Sequence, residues 1–454
     1  MKVALFVHCF FPAHFYGTET YTLQVAKGLR DAGIDVVVVT ANFPGEPPLP
    51  AHVHYYDVEG IRVIAFDKNQ IPNTRVKDTY YQEAMRAPLT DVLTREKPDL
   101  VHVTHLVNHT AVLLEVASSL SIPCVATFTD FFGFCYNNKL EGADGELCAG
   151  PSPSRRNCIA CHLKAVAGQP KVARPLQWAA RIGANPWGAL VLDKARRLPA
   201  YRDGEVDGLV EDIRQRPDIL AACYSHYQAA IAPTRFLEAA YRRNGFDRPM
   251  IRSWFGVDFD RSPKPRHSAD KPIVFGFIGQ LAPHKGTDLL IEAFNRLPAG
   301  AAELHIYGPA DQDPVFMKRL ESLGAGQDVR FLGTFAQHRT REILDSMDLL
   351  AIPSRWYENS PLVLLNALAS HTPVLVSNVE GLTEFIEEGV DGLSFDRGSV
   401  SSIESCLRRF VDDPELAARM SANTNYVRDT RAMVEDVIAI YQHATPKNAE
   451  VLAA

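Results

Sequence analysis

Phe277-Ile278-Gly279-Gln280-Leu281-Ala282-Pro283-His284-Lys285-Gly286-Thr287-Asp288-Leu289-Leu290-Ile291-Glu292-Ala293-Phe294 reads as a strand ending at Gly279, a loop carrying Lys285-Gly286, and an amphipathic helix. This arrangement aims one ammonium and several backbone N–H groups out of the carboxyl end of a sheet, where open α/β sheets bind their ligands. A cation is disfavoured at the positive end of a helix dipole, so Lys285 at a helix start points to an anionic partner rather than a chance surface lysine.

Outward from this segment, short β-branched runs alternate with helical-period segments, the pattern of parallel sheets built from strand–helix–strand units. Strands are predicted at Val3–His8, Asp35–Thr40, Arg62–Phe66, Asp99–Thr104, Cys124–Phe128 and Ala229–Ala232, then at Ile273–Ile278, Glu303–Tyr307, Val329–Leu332, Leu349–Ile352 and Val374–Val376. Two doubly wound halves follow, over residues 1–258 and 273–430, joined by a polar, proline-rich linker at 259–272. A final helix within 431–454 is expected to pack back on the first half.

The 454 residues exceed what a small stapled scaffold needs, and a hydrophobic content of 46% with 22% charge excludes a disordered or fibrous chain. Net charge is −7, a poor prior for nucleic-acid binding. The start, Met1-Lys2-Val3-Ala4-Leu5-Phe6-Val7-His8-Cys9, is no signal peptide, and apolar runs such as Val36–Val39 are far too short to cross a bilayer, so a cytoplasmic protein is expected. In the insertion at 131–220 the strand–helix alternation fades. Residues 155–202 there carry ten basic side chains against one acid, Asp193, interleaved with Trp178, Trp187, Leu190 and Val191. Such a mix seats a helix at an anionic membrane face, or else forms a solvated helical insertion packed on the first half.

Two further turns carry chemistry. Phe11-Pro12-Ala13-His14-Phe15-Tyr16-Gly17-Thr18-Glu19 leads into a helix predicted over Thr20–Arg30, with Gly17 clearing room for a phosphate and Thr18 suited to cap the helix. It is not the Gly-x-Gly-x-x-Gly fingerprint of dinucleotide enzymes. Ile352-Pro353-Ser354-Arg355-Trp356-Tyr357-Glu358-Asn359-Ser360-Pro361-Leu362-Val363-Leu364-Leu365-Asn366 places a helix start at Ser360 as N-cap and Pro361 as first residue, with Glu358 beside it as an acceptor for hydroxyl groups.

Together with Tyr307-Gly308-Pro309, Phe331-Leu332-Gly333 and Gly381-Leu382-Thr383-Glu384, these segments resemble glycosyltransferase family 4, the retaining nucleotide-sugar transferases of the GT-B fold, and its subgroup with a cysteine-containing insertion. The resemblance implies two Rossmann-like domains facing a central cleft, the first on the acceptor side and the second holding a UDP- or GDP-type donor. It implies the catalytic set Lys285, Glu358, Asp130 and His105, with Lys285 on the diphosphate and Glu358 on the sugar. Donor contacts would come from Gly17, Gly279, Gln280, Lys285, Gly308, Asn359, Ser360, Leu362, Val363 and Asn366. No catalytic metal is implied, since the leaving diphosphate oxygen helps take the acceptor proton. Three positions depart from the family pattern: Gln280 stands for an arginine, Asn366 for a glutamate near the ribose, and Thr129 for the histidine of a His-Asp pair. His105 is the candidate substitute for that histidine.

Four of the eight cysteines fall in one irregular stretch, Cys135-x12-Cys148-x9-Cys158-x2-Cys161, and suit a structural zinc site or a set of reduced, buried thiols. The function expected is transfer of a sugar from a nucleotide sugar to a glycan or lipid-linked acceptor in cell-surface polysaccharide synthesis, peripheral at the inner membrane face. The alternatives are a nucleotide-sugar-binding protein of the same fold with impaired catalysis, and a nucleotide-sugar epimerase.

Overall fold

The structure is a computed structural model that describes residues 1–167, 181, 186–195, 205–265 and 271–445. It divides into two compact units, Met1–Trp254 with Arg431–Ala454, and Phe255–Thr430. The division falls at Trp254, ahead of the boundary expected at 258. Phe255 and Val257 are tied into the second unit by hydrogen bonds at their backbone: the Tyr426 hydroxyl donates to Phe255 O and Val257 N donates to Arg428 O at 3.1 Å.

The first unit carries strands β1 (Lys2–Phe6), β2 (Asp35–Ala41), β3 (Val53–Val58), β4 (Ile61–Phe66), β5 (Leu100–Val103), β6 (Cys124–Thr127), β7 (Tyr227–Ala232) and β8 (Met250–Arg252). They form one sheet in the order β3-β4-β2-β1-β5-β6-β7-β8, parallel except for the β3–β4 pair. Val3, Ala4, Leu5 and Phe6 are fully buried, as the central strand of a parallel sheet should be. The order reverses at β1, which lies between β2 and β5, so the loops after β1 and β5 open on one crevice. The helix after β1 begins at Gly17, earlier than predicted: Tyr16 is its extended N-cap, and Thr18 is already inside the helix, where its hydroxyl cannot cap. The last helix, Thr430–Ala444, packs in this unit from Arg431 onward. Tyr441 hydrogen-bonds buried His102 at 2.6 Å, and Gly28 leaves the room that Val434 fills, since a Cβ there would lie 2.5 Å from it.

Between β6 and β7 the described residues hold no strand but three α-helices, Arg156–Ala167, Pro186–Ala195 and Glu205–Cys223, the last running into a 3-10 turn at Tyr224–His226. Ile159, Leu163, Val166, Ala189, Val210 and Ile213 give this insertion its own small core. Several residues of the basic stretch, among them Lys171, Arg174, Trp178, Arg196, Arg197 and Arg202, lie outside the described residues.

The second unit is a six-stranded, all-parallel sheet of β9 (Ile273–Ile278), β10 (Ala302–Tyr307), β11 (Val329–Gly333), β12 (Leu349–Ile352), β13 (Val374–Ser377) and β14 (Gly392–Phe395), in the order β11-β10-β9-β12-β13-β14. Phe275, Phe277, Leu290, Ile291, Leu304 and Leu349 belong to its core. Here the order reverses between β9 and β12, which brings the loops after these two strands together. Three strands escape sequence reading: β3 is a half-exposed edge, β8 has only three residues, and β14 is short.

Candidate active site

In the second unit the reversal at β9 and β12 joins residues far apart in sequence. Lys285 sits at the end of a short 3-10 turn, Pro283–Lys285, and its Nζ lies 2.7 Å from Glu358 Oε1. The turn can pass this close because Gly286 is left-handed, with φ +71°, and a Cβ there would lie 1.9 Å from Pro353 O. Glu358 Oε1 also accepts from Trp356 Nε1 at 3.0 Å and from the Ser354 hydroxyl, and Lys285 lies over the Trp356 ring. Burial pushes the Glu358 carboxyl up, but the Lys285 ammonium and these donors outweigh it and hold the group below the usual carboxylate range. Arg355 braces the same loop, donating to Pro283 O at 2.7 Å and to Asp288 Oδ2 at 3.0 Å.

The segment after Glu358 differs from the predicted cap. Ser360 is left-handed, with φ +55°, and its buried hydroxyl has no partner; Pro361, with ψ 125°, is the cap residue, and the helix runs Leu362–Ala369. The extended ψ of Pro361 keeps it outside the helix, which therefore starts one residue later than predicted, and its carbonyl accepts the first bond, from Leu364 N at 2.9 Å. The N–H groups of Leu362 and Val363 precede that bond and belong to the orphan donors of a helix start. Gly381 closes the loop from behind: with φ +83°, a Cβ there would lie 1.6 Å from Glu358 O. Gly308 sits against the strand end at Gly279, where a Cβ would meet Gly279 O at 2.2 Å. Asn366, on the Leu362–Ala369 helix, and Gln280, just beyond β9, are both half-buried. Sequence reading did not single out Ser354 and Trp356 as the partners that fix Glu358, because loop residues carry no periodic signal.

In the first unit, His105 Nε2 lies 2.7 Å from Asp130 Oδ2. Val107 N donates to His105 Nδ1 at 3.1 Å, so in the neutral ring the proton sits on Nε2 and points at Asp130. Asp130 Oδ1 in turn accepts from Phe132 N at 2.9 Å. The His8 ring lies 4.2 Å from that of His105, tilted by 37°, and burial, then the neighbouring histidines, keep His8 neutral. His102 and His109 are structural, bonded to Tyr441, Thr127 and Val7 O, and burial lowers them to about 3 and about 4. Gly17 is exposed, with nothing within 4 Å of where a Cβ would stand, so its surroundings are open.

Cys135, Cys148, Cys158 and Cys161 line one cavity of about 470 Å³. All are free thiols, and burial pushes Cys158 up to about 12 and Cys161 to about 11. Among the described residues, the group of three or more ligand atoms lying within 4.8 Å of one another is instead His8, Cys9 and Glu19, in which both the imidazole Nε2 and the thiol lie 3.2 Å from Glu19 Oε1. The four cysteines share a cavity at wider spacing than a closed ligand shell.

Comparison with known proteins agrees with this arrangement. A family described as "Glycosyl transferases group 1" matches residues 258–426, and "Glycosyltransferase Family 4" matches residues 15–143. The chain is 28% identical over 220 residues to an alpha-D-kanosaminyltransferase of Streptomyces kanamyceticus, covering 47% of this chain and 51% of that protein. It is 32% identical over 155 residues to a D-inositol 3-phosphate glycosyltransferase of Corynebacterium glutamicum, covering 32% and 37%. The match thus spans about half or less of these curated relatives. Among solved structures, sucrose-phosphate synthase from Thermosynechococcus elongatus superposes with a TM-score of 0.66 at 16% identity, over 97% of this chain and 98% of that one. Anabaena HepE, solved with UDP-glucose, gives a TM-score of 0.63 at 15% identity, over 97% and 99%. With two family matches that together cover more than half of its length, and two parallel sheets that align along nearly all of such structures, the chain belongs to glycosyltransferase family 4 and has the GT-B fold.

Proposed function

We propose that the protein is a retaining glycosyltransferase that takes a sugar from a nucleotide-sugar donor held by the second unit and passes it to a glycan or lipid-linked acceptor held by the first. The observation that carries this reading is the pairing of half-buried Lys285 with buried Glu358 at the reversal of the second sheet. With donor bound, Glu358 accepts hydrogen bonds from sugar hydroxyls, while Lys285 faces the diphosphate and the N–H groups of Leu362 and Val363 supply further donors. The bond from the sugar C1 to the phosphate oxygen breaks with its electron pair going to the diphosphate. The acceptor oxygen bonds to C1 on the same face, and its proton passes to the departing phosphate oxygen. Fixed positive charge at Lys285 is worth most where that negative charge develops.

In this reading His105, held by Asp130, stands in for the histidine that Thr129 replaces. Turnover with a panel of UDP, GDP and ADP sugars and cell-derived acceptors tests it. Glu358→Ala should abolish transfer, and Asp130→Ala, which removes the acceptor that holds the His105 ring, should lower kcat by about 10²-fold or more. Wild-type rates in both variants would remove the assignment. Donor binding without turnover on any acceptor would instead favour a binding protein of the same fold, the reading that Gln280, Asn366 and Thr129 support.

A further inference from the structure

At the carboxyl edge of the first sheet, the loops after β2, β5 and β6 enclose a pocket of about 180 Å³ whose wall includes Phe43, Asn108, Phe132, Asn138 and Arg216. Arg216 comes from the helix Glu205–Cys223 of the insertion and is only 3% exposed. One guanidinium nitrogen donates to Phe132 O at 2.7 Å, and the planar group lies over the Phe132 and Tyr80 rings, at 4.8 Å and 5.6 Å from their centroids. The other, NH1, is buried without a hydrogen-bond partner, and among the described residues no carboxylate lies within 4.0 Å of the group. No carboxylate among the described residues bonds the guanidinium, and the Asp130 charge acts on it only from beyond ion-pair distance; on the neighbouring loops Asn108, Thr110 and Asn138 all have positive φ. A second unpartnered polar atom, Asn138 Oδ1, is buried in the same wall. The one carboxylate lining the pocket, Asp78, is turned into its own loop, where Oδ2 accepts from Thr74 N and Oγ1, each at 2.7 Å, and from Arg75 N at 3.1 Å.

We propose that this pocket binds an oxyanion, a phosphate or carboxylate borne by the acceptor, with Arg216 NH1 as its donor and the Asn138 side-chain amide engaging an adjacent hydroxyl. The acceptor is then an anionic sugar or sugar phosphate rather than a neutral glycan end. The word acceptor rests on the glycosyltransferase reading; the oxyanion site does not. Hydrogen bonds from a charged donor are strong enough that one such contact changes affinity by about tenfold or more.

The test is calorimetric titration of the full chain with inorganic phosphate, glucuronate and, as a neutral control, glucose, at ionic strength held constant with sodium chloride. Phosphate or glucuronate should bind and glucose should not, and which of the two binds tighter separates a phosphorylated from a uronic acceptor. Arg216→Gln should weaken oxyanion binding at least about tenfold, and Asn138→Asp, which puts a negative charge in the wall, should do the same without removing the guanidinium. Arg216→Lys should retain part of the affinity. Nucleotide-sugar binding, measured on the same preparations, should be unchanged. If Arg216→Gln does not fold, Asn138→Asp decides. Binding no stronger than chloride in the wild type, or unaltered in the variants, overturns the proposal and leaves Arg216 a packing residue. Loss of all nucleotide-sugar binding in the wild type with oxyanion binding intact would defeat the glycosyltransferase reading and leave the pocket standing.

Discussion

Replacing Lys285 by alanine isolates what the Glu358 charge costs the fold. Glu358 is 7% exposed, and burial alone would favour its neutral form; the ammonium at 2.7 Å is the main offset, with Ser354 and Trp356 adding to it. Because the folded pKa lies below the ordinary 4.5, the ionised pair stabilises the chain above that pH and the contribution fades as pH falls through the folded value. Removing one member of a buried pair costs about 3–5 kcal/mol when the remaining charge is bare. Here two donors stay on Glu358 and the Lys285 side chain is 21% exposed, so the expected loss at pH 7 is about 2 kcal/mol. For a unit of this size that lowers Tm by about 4–8 °C. In Lys285→Ala the carboxyl has lost its offset and moves up, so acidification toward pH 4.5 neutralises the stranded charge and the gap to wild type should narrow. Thermal unfolding of both proteins between pH 8 and 4.5 reads this directly. Equal Tm values at pH 7, or a gap that widens with acid, would refute the account of the pair.

Gly381→Ala must push a Cβ against the Glu358 carbonyl at a left-handed position, so a loss of about 2 kcal/mol or more is expected together with reduced transfer; unfolding and turnover measured together check it, and wild-type values in both would mean the segment need not hold this conformation. We propose that the cavity bordered by Cys135, Cys148, Cys158 and Cys161 draws these thiolates around a structural zinc, giving about one zinc per chain by elemental analysis and none in a Cys158→Ser, Cys161→Ser double variant. A metal-free protein whose stability ignores chelators would end that proposal. Trp187, 80% exposed, and Val191, 59% exposed, lie four residues apart on one helix in the basic insertion, so the chain is expected to float with anionic vesicles in low salt and to release in high salt; no flotation at all would exclude this surface as a membrane contact.

Several features of the site were legible in sequence because they are local. Lys285-Gly286 after an apolar strand, and Glu358 before an apolar helix, each announce a loop at a sheet edge by periodicity alone. Their partners were not legible in this way. That Lys285 and Glu358 touch depends on β9 lying beside β12, a choice of strand order that no local pattern encodes. Ser360 differs from the expected cap for a related reason: its side chain suits a cap, but it adopts a left-handed backbone and the cap position falls to Pro361, neither of which a local pattern encodes.

By itself, then, the sequence determined two parallel α/β sheets and their strands to within a residue or two over most of the chain, since burial on both faces writes itself into unbroken β-branched runs. Tertiary structure alone decided which charges meet. It paired Lys285 with Glu358 and His105 with Asp130, tied the last helix to His102 through Tyr441, and left Arg216 buried in a pocket with a nitrogen unmatched. These are contacts between residues far apart in the chain, and they exist only once strand order and the insertion's own core have brought distant loops to a common edge.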